Sequence, residues 1–292
     1  MMKRAVEEKE KKISFRQKNA TRCPVCRSEF FREELFSGSG RLIAGNLTDE
    51  LRRLYEKNNK FGVIYPLAYQ VTVCDKCLYA AYPKDFPTPL PEEIELLQNS
   101  APDRKVAIQK FFGGIDFLQD RNLKLGAASY MLAIDCYAKR TRKIAPTFKS
   151  ALSAIRAAWL FDDLFKEEPN SPYGKISMYF YKKASIFYNL ILEYLQNGTE
   201  PSDAAGHMGP DVEKNWGYEG ILYLAALLTV KANADEPDKC KRMAAYEMSR
   251  KNLSRIFGTG KSSKERPSDM LERTRSLYDQ MSASLAEWKA EE

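Results

Sequence analysis

The apolar positions of this 292-residue chain follow two rhythms. From about residue 91 to the end they return every three or four residues, the period of a helix that buries one face. The stretches "RKVAIQKFFGGIDFLQ", "KLGAASYMLAIDCYAKRTRK", "TFKSALSAIRAAWLFDDLFKEE", "GKISMYFYKKASIFYNLILEYLQNG", "WGYEGILYLAALLTVKANADE", "DKCKRMAAYEMSRKNLSRIFG" and "SDMLERTRSLYDQMSASLAEW" all carry it. Pro146, "EEPNSPYG", "NGTEPSDAAGHMGP" and "EPD" separate them, and Gly198 and Gly258 stand where a left-handed residue ends a helix. Trp216, Gly220 and Tyr223 fit the first helix of a tetratricopeptide repeat, and Leu125 and Gly126 echo it. The helix pairs are longer than that repeat of about 34 residues, so a plain helical bundle is the alternative.

Before residue 91 the rhythm is mixed. "SGSGRLIAGN" reads as a glycine-rich loop. "LTDELRRLYEK" predicts a short helix capped by Asn46 or Thr48, with Asp49 and Glu50 in its first turn. In "YPLAYQVTVC", Leu67, Tyr69, Val71 and Val73 alternate with Ala68, Gln70 and Thr72, which predicts a half-buried strand running into Cys74. Prolines at 83, 87, 89 and 91 break the chain, and Glu92 and Glu93 start a helix behind Pro91. The expected fold is mainly α. A basic arm (1–22) precedes a small α+β, zinc-ribbon-like module with a long insertion (23–90). A tetratricopeptide-like helical array (91–292) follows, with a core separate from that of the module.

"TRCPVCRSEF" and "VCDKCLYAAY" place Cys23 and Cys26, then Cys74 and Cys77, in two CxxC turns 47 residues apart. Such a turn brings two soft thiolates to one tetrahedral Zn²⁺, and two turns complete four ligands. The only histidine, His207, lies far along the chain, so an all-cysteine set is expected. The separation exceeds the usual ribbon spacing of roughly 15–20 residues, and the loop, helix and strand between the pairs account for it as an insertion. Neither pair sits in the strand–helix–strand context of a thioredoxin-like redox motif. Four thiolates leave no open position on the metal, so its role is structural. Cys136 and Cys240 fall on apolar helix faces and are expected to be buried thiols.

The "CPVC" turn, the long insertion, "YPLAYQVTVCDKCLYAAYPKDF" and the helices after it resemble the bacterial family known as domain of unknown function 2225. The resemblance covers most of the chain. It implies a bacterial protein in which a zinc-ribbon-like region precedes tetratricopeptide-like helices. It carries over the four cysteines and implies no reaction.

The net charge of +7 suggests a polyanion partner until it is located. Residues 1–22 hold eight Lys/Arg against three Glu, and residues 250–275 hold eight against three acids. The tail from 276 holds one Lys against four acids, so the body from 23 to 249 is neutral. Basic ends on a neutral body argue for a solvated, partly helical N-terminal arm rather than a continuous nucleic-acid-binding face. The start of the chain lacks the apolar core of a signal peptide, and "ILYLAALL" is far below the roughly 20 residues of a membrane span. A cytoplasmic setting with reduced cysteines is expected.

Other motifs carry less. "GTGKSS" has Arg255 where a P-loop needs glycine, and a helical pattern precedes it in place of a strand. "SGSGRLIAG" has Ile43 where a dinucleotide fingerprint needs its third glycine. The amides of Gly38 and Gly40 with Arg41, Arg52 and Arg53 can hold an anion or a partner, and a loop beside a solvated helix face is the alternative. His207 has only Asp203 and Asp211 near it in sequence and no evident nucleophile. Asp162 and Asp163 are adjacent on a helix and point about 100° apart, unsuited to act as a pair. The reading that survives is a non-catalytic zinc-binding scaffold that takes a protein or peptide partner. A nucleic-acid-binding zinc-ribbon protein, with steep salt dependence, and an enzyme with a junction site near Arg41 or His207 are the alternatives.

Overall fold

Two hairpins at the start of the chain set the frame in a computed structural model, which describes residues 12–36, 38, 40–258 and 268–291. In the first hairpin β1 (Ser14–Arg16) pairs antiparallel with β4 (Glu33–Leu35). Nested inside, β2 (Thr21–Arg22) pairs with β3 (Glu29–Phe30). Ser14–Arg16 and Thr21–Arg22 are therefore extended and paired in a stretch read from sequence as a solvated, partly helical arm.

The long insertion forms a second hairpin, β5 (Ile43–Leu47) with β6 (Arg53–Glu56). The helix expected over 47–57 is absent. Thr48 Oγ1 accepts the Arg52 N–H and the Leu51 N–H is bound to the Thr48 carbonyl, which closes a tight turn. Leu51 adopts a left-handed backbone, φ 59°, and its side chain is fully buried. That conformation costs about 1–2 kcal/mol for a residue with a Cβ, and burying a leucine returns about 1.5–3 kcal/mol. Burial of Leu51 outweighs the strain and displaces the helix.

The strand expected over 65–74 is also mostly absent. Pro66–Tyr69 is a 3-10 turn, and only β7 (Thr72–Val73) is extended, paired with β8 (Ala80–Ala81). Alternation misleads here because Pro66, Leu67, Ala68 and Tyr69 are all buried, so no face is left for water. A Cβ on Gly126 would come within 2.9 Å of Ala68 Cα, and glycine is what lets the 3-10 turn lie against the next helices.

Eight helices follow among the described residues. They are α1 (Pro91–Asn99), α2 (Ala101–Phe112), α3 (Leu123–Tyr137), α4 (Pro146–Glu167), α5 (Tyr173–Asn197), α6 (Gly217–Ala232), α7 (Lys239–Gly258) and α8 (Ser268–Ala290). From α3 to α8 each packs on the next in chain order. The start of α1 is held as expected, Glu93 accepting the Leu90 N–H behind Pro91. Asn122 Oδ1 accepts the Leu125 N–H at the start of α3, and Gly198 ends α5 in the left-handed conformation. The pattern read as helix through residue 119 stops at Phe112, because Gly113 and Gly114 both take positive φ. The N-terminus of α4 has no local side-chain cap. Glu200, 53 residues on, accepts from the N–H and hydroxyl of Thr147 and pairs with Arg142. The "GTGKSS" stretch, Gly258 apart, lies outside the described residues.

The two regions do not keep separate cores. One continuous apolar cluster runs from Cys23, Val25 and Phe30 through Leu51 and Tyr79 to Trp159, Leu224 and Leu285. The chain is mainly helical, with a small strand-containing N-terminal region built onto the helices. None of the described helices is long and apolar enough to cross a membrane.

Candidate metal centre

The tips of two matched hairpins bring the CxxC turns together. The β2–β3 register, Thr21 opposite Phe30, recurs 51 positions later as Thr72 opposite Ala81. Each tip folds the same way. The Cys23 N–H binds the Ser28 carbonyl as the Cys74 N–H binds that of Tyr79, and the Arg27 N–H returns to Cys23 as the Leu78 N–H returns to Cys74. The residue after each second cysteine is left-handed, Arg27 at φ 67° and Leu78 at φ 56°. Within each turn the second cysteine's N–H donates to the first cysteine's sulfur.

The four sulfurs all lie within 4.8 Å of one another. The distances across the two turns are 3.7 Å for Cys23–Cys77 and 3.6 Å for Cys26–Cys74. No disulfide joins them, since a bonded pair would sit near 2.05 Å. Cys23, Cys74 and Cys77 are buried, and Cys26 faces solvent. Four such sulfurs cannot all ionise together without a cation. Contacts from Cys23 and then Cys77 pull the Cys74 thiol well below its ordinary range. The contact with Cys74 chiefly pushes Cys23 up to about 12, and Cys23 and then Cys74 push Cys77 higher still. This donor set suits a dication, which would let the remaining protons leave.

Residues that spacing did not reveal surround the cluster. Ser28 Oγ lies 2.9 Å from Cys26 Sγ and 3.4 Å from Cys74 Sγ, so its hydroxyl can donate to either sulfur. Arg104, 2% exposed on α2, donates to the Cys77 carbonyl at 3.1 Å and to the Leu97 carbonyl at 2.7 Å. Gln98 on α1 donates to the Val25 carbonyl at 2.6 Å. These bonds tie the first two helices to the turns. Only Ser28 had a signal in the sequence, as a hydroxyl two residues beyond a CxxC.

The other candidates are placed as follows. Arg41 is stacked between Phe36 and Phe61, its guanidinium carbon 5.0 and 5.2 Å from the ring centroids. Arg52 pairs with Asp163 and lies over Trp159, while Arg53 pairs with Glu213 and binds the Gly45 carbonyl. The three arginines are therefore engaged within the chain: Arg41 also donates to the Gly38 carbonyl at 3.1 Å, while Arg52 and Arg53 turn to Asp163 and Glu213, so the three do not converge on one site. Asp162 and Asp163 go separate ways, the first to Tyr181 and the second to Arg52 and Lys166. His207 is exposed in a loop, its Nδ1 accepting the Gly209 N–H. Cys136 is buried as expected, but Cys240 is exposed because its position on α7 faces solvent.

The family described as "uncharacterized protein conserved in bacteria (DUF2225)" matches residues 17–281. An uncharacterized protein of Borreliella burgdorferi is 42% identical over 279 residues, 96% of this chain and 100% of that protein. No solved structure matches the chain.

Proposed function

We propose, for a chain that belongs to the bacterial family DUF2225, a non-catalytic scaffold in which Cys23, Cys26, Cys74 and Cys77 hold one Zn²⁺ and the helical array receives a protein or peptide partner. The sulfur geometry carries this reading. A tetrahedron of thiolates about 2.3 Å from Zn²⁺ has edges of about 3.8 Å, against 3.7 and 3.6 Å across the two turns. Bound zinc would supply charge that keeps four thiolates ionised, with no position left for water or substrate. Its effect is to fix the bases of the excursion between the turns.

A groove of about 490 Å³ supports the partner half of the reading. It lies between α3 and α5 over the start of α4, lined among others by Met131, Ile134, Tyr179, Lys183 and Phe187. Tyr179 is 53% exposed there. Apolar surface of this kind on a helical array is a common protein contact.

Protein purified under reducing conditions should contain about one zinc per chain by elemental mass spectrometry, and Cys74→Ser should release it. Cross-linked partners recovered from native cells should fall with a Tyr179→Ala/Lys183→Ala variant that keeps its zinc. Absence of zinc sinks the metal half of the reading. An unchanged partner set with the groove variant sinks the other half.

A further inference from the structure

Between the outer rung of the first hairpin and the loop after β6 lies a cleft of about 980 Å³, separate from the sulfur cluster and the helical groove. Its size is at the upper end of small-molecule pockets. Phe15, Phe36 and Phe61 are part of its wall and belong to a column of flat groups that Arg41 completes from behind. The rings of Phe15 and Phe36 are 4.7 Å apart, and Arg41 is stacked between Phe36 and Phe61. Phe15, at one end of the column, remains 39% exposed.

Four cations line the cleft, Lys12, Arg16, Lys60 and Arg121, against two carboxylates, Glu33 and Asp120. Glu33 is already engaged by the Ser14 hydroxyl, the Arg121 N–H and Arg16. Lys12 and Lys60 have no ion-pair partner among the described residues. Arg121 Nη2 reaches the Val71 carbonyl, but Nη1 is buried with no acceptor. Buried donors without acceptors are uncommon and call for a missing water or anion. Surplus positive charge beside stacked rings is the combination that retains a planar anion, because rings hold its flat part and cations its charge.

We propose that this cleft binds a small anion carrying a flat aromatic ring, of the nucleoside monophosphate class. The ring extends the Phe15–Phe36–Arg41–Phe61 column, and the phosphate is held by the surplus cations. The assignment does not depend on the scaffold reading or on zinc. Asp120, exposed and without a cation partner among the described residues, opposes an anion beside it.

The test is isothermal titration of the full zinc-loaded chain with adenosine monophosphate, adenosine and inorganic phosphate at low salt. Adenosine monophosphate should saturate below millimolar concentration, with adenosine and phosphate each at least about ten-fold weaker. Lys60→Ala should weaken the nucleotide about five-fold and Asp120→Asn should tighten it, the signs expected from removing an attractive and a repulsive charge. Both positions are exposed, so folding should be retained. No saturation by adenosine monophosphate, equal binding of phosphate alone, or indifference to both substitutions overturns the proposal.

Discussion

At the scale of single residues, the spacing of Cys23, Cys26, Cys74 and Cys77 was legible because a CxxC turn has one main use outside redox chemistry. What hid the rest was the residue after each pair. A turn of this shape needs a left-handed backbone there, which glycine adopts without strain, yet this chain carries Arg27 and Leu78. Arg104 could not be read as a neighbour of the turns, because only the packing of α2 brings it to Cys77. The two strained positions make a paired prediction. Arg27 is exposed, so Arg27→Gly relieves strain and loses little contact. It should raise stability by about 0.5–1 kcal/mol, read as a higher melting temperature of the zinc-loaded protein. Leu78 is buried, and Leu78→Gly should lower stability by about 2 kcal/mol or more despite the same relief. A lower melting temperature for Arg27→Gly would show that its side chain, and not its backbone, matters there.

At the scale of elements, the helices were legible wherever one face is buried, and two elements of the insertion were not. Leu47, Leu51 and Leu54 make a plausible helical stripe, but the turn between β5 and β6 is decided by partners more than a hundred residues away. Glu50 accepts from Trp159 on α4 and Lys231 on α6, and its Oε2 lies 2.9 Å from the Tyr181 hydroxyl on α5. That hydroxyl also lies 2.8 Å from Asp162, one proton between two carboxylates. Burial, with Glu50 and Asp162, pushes the Tyr181 phenol far above its ordinary value and keeps it a donor. Arg273 on α8 adds bonds to Asp49 and the Thr48 carbonyl, so the tip touches four helices. Tertiary bonds of this kind override local propensity. Glu50→Ala takes the acceptor from Trp159 and Lys231, while Tyr181 keeps Asp162, and should cost about 2 kcal/mol in urea denaturation, with Glu50→Gln costing about half because it keeps an acceptor. A loss under about 1 kcal/mol for the alanine would mean the tip is held by Leu51 and Arg52 instead.

At the scale of the whole molecule, the expected division into two cores failed because the sulfurs, the hairpin tip and the helices all feed one apolar cluster. Sequence shows which residues are apolar and not whether two groups of them share a core. The consequence is a graded response to metal loss. The bases of the excursion between the turns meet at the four sulfurs, and its tip is held by Glu50, Arg52 and Arg273. Ordering so long an excursion has an entropic cost that its bases and tip offset separately, and losing one anchor leaves the other. The tip contacts do not pass through the sulfurs, whereas α1 and α2 rest on the turns through Gln98 and Arg104. Chelation, or Cys74→Ser, should therefore raise amide exchange first in Cys23–Phe30, Thr72–Ala81 and Leu97–Ile108. Protection should persist in α4 to α6 and at Arg52 and Arg53, because local opening follows local contacts. Uniform loss of protection through α4–α6 would mean that the cluster transmits the loss to the whole chain. Unchanged exchange at the turns would mean that no metal had held them.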